Sequence, residues 1–132
     1  MVMIYPVLGV DIDTPSYRRN ADAPCLTRDE MIFFLDSFLG PRDGANWSDP
    51  YAVPLGADLA GLPEAFITVA EHDPLCDDGV LFHGRMLAAG NRATLRREPE
   101  LAHSYMRARH HSAPAMAGFK AIGEAVARLT RS

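Results

Sequence analysis

The sequence has little that would tie it to an oxidised fold, a charged polymer or a lipid bilayer. It holds only two cysteines, Cys25 and Cys76, with no CxxC between them. That count supports no disulfide framework and reads as two reduced thiols of a cytoplasmic protein. Basic residues are in deficit, 13 Lys and Arg against 17 Asp and Glu, for a net charge of −4. Nothing in that balance attracts nucleic acid or an anionic membrane. The opening apolar run "MVMIYPVL" stops at Gly9 and Asp11, too short for a membrane span and without the flanks of a signal peptide. Repeats, low-complexity stretches and Pro/Gly-rich linkers are absent, so residues 1–132 read as one unit. What is present is ordinary for a globular domain with a core: 48% hydrophobic and 23% charged residues.

Hydrophobic patterning supplies the elements. "VMIYPVL" is a continuous β-rich apolar run, expected as a strand covered on both faces. Thr27 and Glu30 have capping-box spacing ahead of a helix with Met31, Phe34, Leu35 and Phe38 on its inward face, stopped by Gly40 and Pro41. The following stretch to Pro63 is dense in turn formers and predicts a long irregular loop. "AFITVA" predicts a second buried strand. A helix is expected from Asp77 or Asp78 to Gly90, with Val80, Phe82, Met86 and Leu87 inward. "ATLRR" predicts a short third strand, "ELAHSYMRARHH" a loop, and Ser112 the start of a last helix with Met116, Phe119, Ile122, Val126 and Leu129 on its buried stripe. Strands alternating with helices predict an α/β fold, a three-layer sandwich on a parallel sheet with an exposed edge.

In open parallel sheets, ligands gather at the carboxyl ends of the strands. Asp73 follows the second expected strand and His103 the third, about one βαβ unit apart in sequence. A right-handed crossover brings both loops to one edge, where a carboxylate can fix an imidazole as a general base. Plainer readings stand beside this. Asp77 and Asp78 suit helix capping, Asp73 before Pro74 suits a turn, and a lone His103 suits a solvated loop. A metal held by His110 or His111 with His72 or Asp73 is the least favoured alternative, because adjacent histidines do not face one point.

Several motifs together resemble one family. Leu62, Pro63, "AFITVA", Glu71, Asp73, Pro74, Leu75 and Asp77, followed by "ELAHSYMRARH", resemble the C-terminal part of hormone-sensitive-lipase-like carboxylesterases of the α/β-hydrolase fold. "IYPVL" resembles the strand that follows the nucleophile elbow in that family. The resemblance implies that Asp73 is the acid and His103 the base of a Ser–His–Asp triad, acting on a small ester through an acyl-enzyme, with no cofactor and no metal. Where the family usually has His-Gly-Phe, this sequence has His103, Ser104 and Tyr105.

No Gly-x-Ser-x-Gly occurs, since Ser16, Ser37, Ser48, Ser104, Ser112 and Ser132 all lack the flanking glycines. The His-Gly-Gly segment of the family's oxyanion hole is absent too. The expectation is therefore the C-terminal half of a serine carboxylesterase, completed by an N-terminal half and close to inactive alone. The alternative is a non-catalytic remnant that self-associates through the exposed sheet edge as a homo-oligomer.

Overall fold

The computed structural model describes residues 1–131. Ser132, one of the serines without an elbow, lies outside the described residues. Three parallel strands form one sheet in the order β1-β2-β3: β1 Val2–Ile4, β2 Ala65–His72 and β3 Ala93–Ala102. Alternation along β2 sets the layers. Ile67 and Val69 pack with Phe82 and Met86 of α3 (Cys76–Ala88) on one face, and Phe66 and Ala70 pack with Ala115 and Ile122 of α4 (Ala113–Leu129) on the other. The expected three-layer α/β sandwich is present. A third apolar cluster joins α1 (Pro15–Arg19) and α2 (Arg28–Leu39) to the long loop through Tyr17, Met31, Leu35, Leu39 and Val53.

Two glycines set how closely helices approach the sheet. A Cβ on Gly79 would lie 2.3 Å from Val69 Cγ1, so α3 rests on β2 only because that position has no side chain. A Cβ on Gly118 would lie 2.8 Å from Glu98 Oε1 and 2.9 Å from the Tyr105 ring. Below this contact Glu98, a fully buried carboxylate, pairs with Arg96 at 2.5 Å.

Several expectations need correction. The first strand covers three residues rather than "VMIYPVL", because Tyr5 turns to φ 36° and Pro6 cannot donate to a ladder. α1 carries no signal in the sequence pattern, because five residues are too few to show a helical period. The capping box of Thr27 and Glu30 forms as expected, but α2 buries Met31, Leu35 and Leu39 at four-residue spacing. That rotation leaves Phe34 half-exposed and Phe38 at 72% exposure. Leu87 of α3 and Phe119 and Val126 of α4 are likewise exposed. α4 buries Ile122 as expected, but beside it turns Ala115, Gly118 and Ala125 to the sheet, small residues that permit close contact. α3 begins at Cys76 with Leu75 as its N-cap, so Asp77 and Asp78 lie inside its first turn and do not cap it. β3 runs twice as far as "ATLRR" and takes in Glu100, Leu101 and Ala102. The remainder of the expected loop is a short 3-10 turn at Tyr105–Ala108 followed by irregular chain up to Ser112, the N-cap of α4. Among the described residues no helix is long and apolar enough to cross a membrane, and Cys25 and Cys76 are both free.

Candidate functional site

The site forms where β2 and β3 end. Their ladder is regular from Ala65↔Ala93 to Ala70↔Glu98, then shifts register so that His72 pairs with Ala102. The extra length on β3 lies at Pro99 and Glu100, the latter at φ 59°. Its N–H donates to Glu71 Oε2 at 2.8 Å, so Glu71 braces the irregularity. A bulge of this kind bends a strand end and re-aims the next side chain. Here the strand runs on through Leu101 and Ala102, so that His103 stands one residue past the pairing, as Asp73 stands one residue past β2.

The two meet directly. His103 Nδ1 lies 2.8 Å from Asp73 Oδ2, with the carboxylate fully buried and the imidazole 18% exposed. Asp73 Oδ1 accepts the Leu75 N–H at 2.9 Å, an Asx-type turn that orients the carboxylate. A carboxylate only accepts, so Nδ1 carries the shared hydrogen and Nε2 of a neutral ring is left as an acceptor. Nε2 has no hydrogen-bond partner among the described residues. The arrangement suits an imidazole that must take a proton from a group brought to it.

The surroundings hold this geometry from places no local motif marks. Asn20 Nδ2, at the end of α1, donates to the backbone oxygens of Glu71 and Asp73 at 3.1 and 3.0 Å. Ser16 Oγ donates to Pro74 O at 2.6 Å, and the Ser16 N–H donates to Asp77 Oδ2 at 2.8 Å. Asp78 Oδ2 accepts the N–H groups of Leu8 and Gly9 at 2.8 and 2.9 Å. Burial pushes the Asp78 carboxyl up from its ordinary value, against the downward pull of those two bonds. Asp77 and Asp78 are thus tertiary clamps. Ser104 adopts the left-handed region at φ 61°, where a glycine would sit without strain. Tyr105 Oη lies 3.0 Å from Thr68 Oγ1, and its phenol is pushed up to about 12, chiefly by burial. Sequence reasoning missed Asn20, Ser16 and Tyr5, whose ring centroid lies 4.6 Å from that of His103. Each acts across a separation that periodicity does not encode.

His110 and His111 are exposed beyond the 3-10 turn and His72 is exposed at the end of β2. No group of three His, Cys, Asp or Glu residues with metal-holding geometry occurs among the described residues. A cavity of about 620 Å³ lies nearby, lined by Arg19, Glu71, Cys76, Arg97 and Pro99. Neither Asp73 nor His103 lines it.

Residues 1–107 match the family described as alpha/beta hydrolase fold. The chain belongs to that family, in its hormone-sensitive-lipase-like carboxylesterase branch. It is 38% identical over 133 residues to carboxylesterase NlhH of Mycobacterium tuberculosis, a match covering 97% of this chain and 40% of that protein. Against neutral cholesterol ester hydrolase 1 of Bos taurus it is 28% identical over 152 residues, covering 70% of this chain and 37% of the relative. Among solved structures, a bacterial heroin esterase superposes with a TM-score of 0.87 at 30% identity, over 99% of this chain and 42% of that one. The chain therefore spans about two fifths of the length of the α/β-hydrolase relatives it matches.

Proposed function

We propose that this chain carries the acid and base of a serine carboxylic-ester hydrolase, with Asp73 as the acid and His103 as the base. The observation that carries the reading is the 2.8 Å contact between Asp73 Oδ2 and His103 Nδ1, at the carboxyl edge of a parallel sheet in a carboxylesterase-family chain. The nucleophilic serine and the oxyanion-hole donors come from sequence outside these 132 residues. Relatives of which this chain spans two fifths have room for both.

In the completed site, Nε2 of His103 takes the serine hydroxyl proton as the oxygen attacks the ester carbonyl carbon. Asp73 holds the imidazole tautomer and stabilises the imidazolium formed. Collapse of the tetrahedral intermediate breaks the bond to the alcohol, which leaves with the proton returned by Nε2. Water then attacks the acyl-enzyme with His103 again as base, releasing the acid and restoring the serine. Short acyl esters are the expected substrates. Without nucleophile and oxyanion hole, the 132 residues alone lack the covalent route and its main electrostatic stabilisation. The open edge of β1, unpaired on its outer side among the described residues, suits strand addition by the completing segment.

The test is a chimera in which this chain replaces the part it matches of the mycobacterial carboxylesterase. Hydrolysis of p-nitrophenyl acetate and labelling by a fluorophosphonate probe are the readouts. The chimera should hydrolyse the ester and lose that activity with His103→Ala or Asp73→Asn, while the isolated chain stays near background. A chimera that labels and turns over equally well with both substitutions would overturn the assignment.

A further inference from the structure

Tyr5 holds a conformation that its own neighbourhood in sequence disfavours. It lies in the left-handed region at φ 36° and precedes Pro6, and a residue before proline is driven toward extended backbone. Strain of this kind persists only where surrounding contacts over-determine it, and it concentrates at functional positions. Here the contacts form a closed circuit. The Tyr5 N–H donates to Thr68 O at 2.7 Å, Thr68 Oγ1 meets Tyr105 Oη at 3.0 Å, and the Tyr105 ring lies against Tyr5 edge-to-face at 5.5 Å and 79°. The free side of the circuit is the Tyr5 ring on His103, with centroids 4.6 Å apart and planes at 59°.

We infer that Tyr5 is a positioning residue whose ring fixes the plane of the His103 imidazole on Asp73. This rests on the acid–base reading of that pair. One hydrogen bond at Nδ1 leaves the imidazole free to rock and turn about its own bond to Cβ. A second contact on the ring removes that freedom and commits Nε2 to one direction, and catalytic geometry needs such locking by neighbours. The phenol is suited to a passive role. Burial and the Asp73 charge both push its ionisation upward, so the ring stays neutral beside the carboxylate. The left-handed turn gives the strain a purpose: it carries the ring off the end of β1 and over the ends of β2 and β3, where an extended Tyr5 would continue the strand.

The isolated 132-residue chain suffices for the test. It is labelled with 15N and His103 is read by NMR at about pH 8, above the ordinary imidazole pKa near 6.5. Wild type and Tyr5→Phe should show one neutral tautomer, protonated at Nδ1, with a downfield Nδ1–H resonance. Tyr5→Gly removes the ring while relieving the left-handed backbone, so the fold should survive, as checked by circular dichroism. Its His103 nitrogens should move to averaged shifts and the Nδ1–H resonance should be lost to exchange. If the glycine variant unfolds, Tyr5→Leu, which keeps bulk without a flat ring, takes its place with the same expectation. A folded glycine or leucine variant that retains the wild-type tautomer and resonance would overturn the positioning role. Loss in Tyr5→Phe would overturn it as well, since the ring is then not what matters. A wild type that itself lacks the Nδ1–H tautomer, or keeps it in Asp73→Asn, would instead sink the Asp73–His103 reading beneath it.

Discussion

Asp73 and Asp78 are buried carboxylates five residues apart, and the fold uses them in opposite ways. Asp78 directs one oxygen at two backbone N–H groups, those of Leu8 and Gly9, and so ties the chain after β1 to α3. Asp73 gives one oxygen to its own turn and the other to an ionisable ring at the end of a neighbouring strand. Their burial is nearly the same. A carboxylate whose partners are all backbone is a clamp, whereas one shared with an imidazole at a strand end can take part in chemistry. What a buried acid faces, more than how deeply it is buried, separates the two.

Substitutions should pull this contrast apart. The largest effect is expected in the chimera, where Asp73→Asn keeps the shape but favours the wrong imidazole tautomer; kcat should fall by about 10⁴-fold while the melting temperature moves little. Esterase assays beside thermal melts of the same samples would decide this, and a large melting shift with modest rate loss would make Asp73 another clamp. Next is Asp78→Ala, which strands two N–H groups and should cost about 2–4 kcal/mol by urea unfolding. Asp78→Asn keeps an acceptor oxygen and should stay within about 1 kcal/mol of wild type at neutral pH.

The pH dependence of Asp78 follows from the direction of its shift. A folded-state pKa raised above the ordinary 3.8 means that the contribution is fully present below that pH and is lost as pH rises through the raised value. Wild type should therefore lose stability relative to Asp78→Asn across that window, and a difference that stays flat with pH would rule out desolvation as the cause. The smallest effect is Ser104→Gly. It relieves a left-handed serine beside His103 and should add roughly 0.5 kcal/mol, the strain relief being offset by glycine's greater freedom when unfolded. A destabilised glycine variant would mean that the serine side chain itself supports the turn.

Much of the architecture was legible because it is written in local periods. The six-residue apolar run "AFITVA", the Thr27–Glu30 capping box and Ser112 as the start of α4 each depend on neighbours in sequence. The meeting of Asp73 with His103 was legible for a topological reason: two parallel strands joined by a right-handed crossover bring their carboxyl ends together. Helix rotation was not. Phe34 and Leu35 are equally apolar, yet only Leu35 is buried, because the layer of α1 and the long loop chooses the face. The acidic pair Asp77 and Asp78 matched a capping pattern, but Ser16, Leu8 and Gly9, more than sixty residues away along the chain, claim those oxygens.

The sequence by itself determined the α/β alternation, the family and the two residues that meet at the strand ends. Those follow from hydrophobic period, strand polarity and motif order, all readable along one dimension. Only the tertiary structure decided that Asp78 is a clamp, that β3 breaks register against β2 just ahead of His103 and is braced there by Glu71, and that Tyr5 leaves its strand to lie on the imidazole. Each of these is a contact between segments far apart in the chain, fixed by which backbone N–H groups and ring faces the packed layers leave to be satisfied.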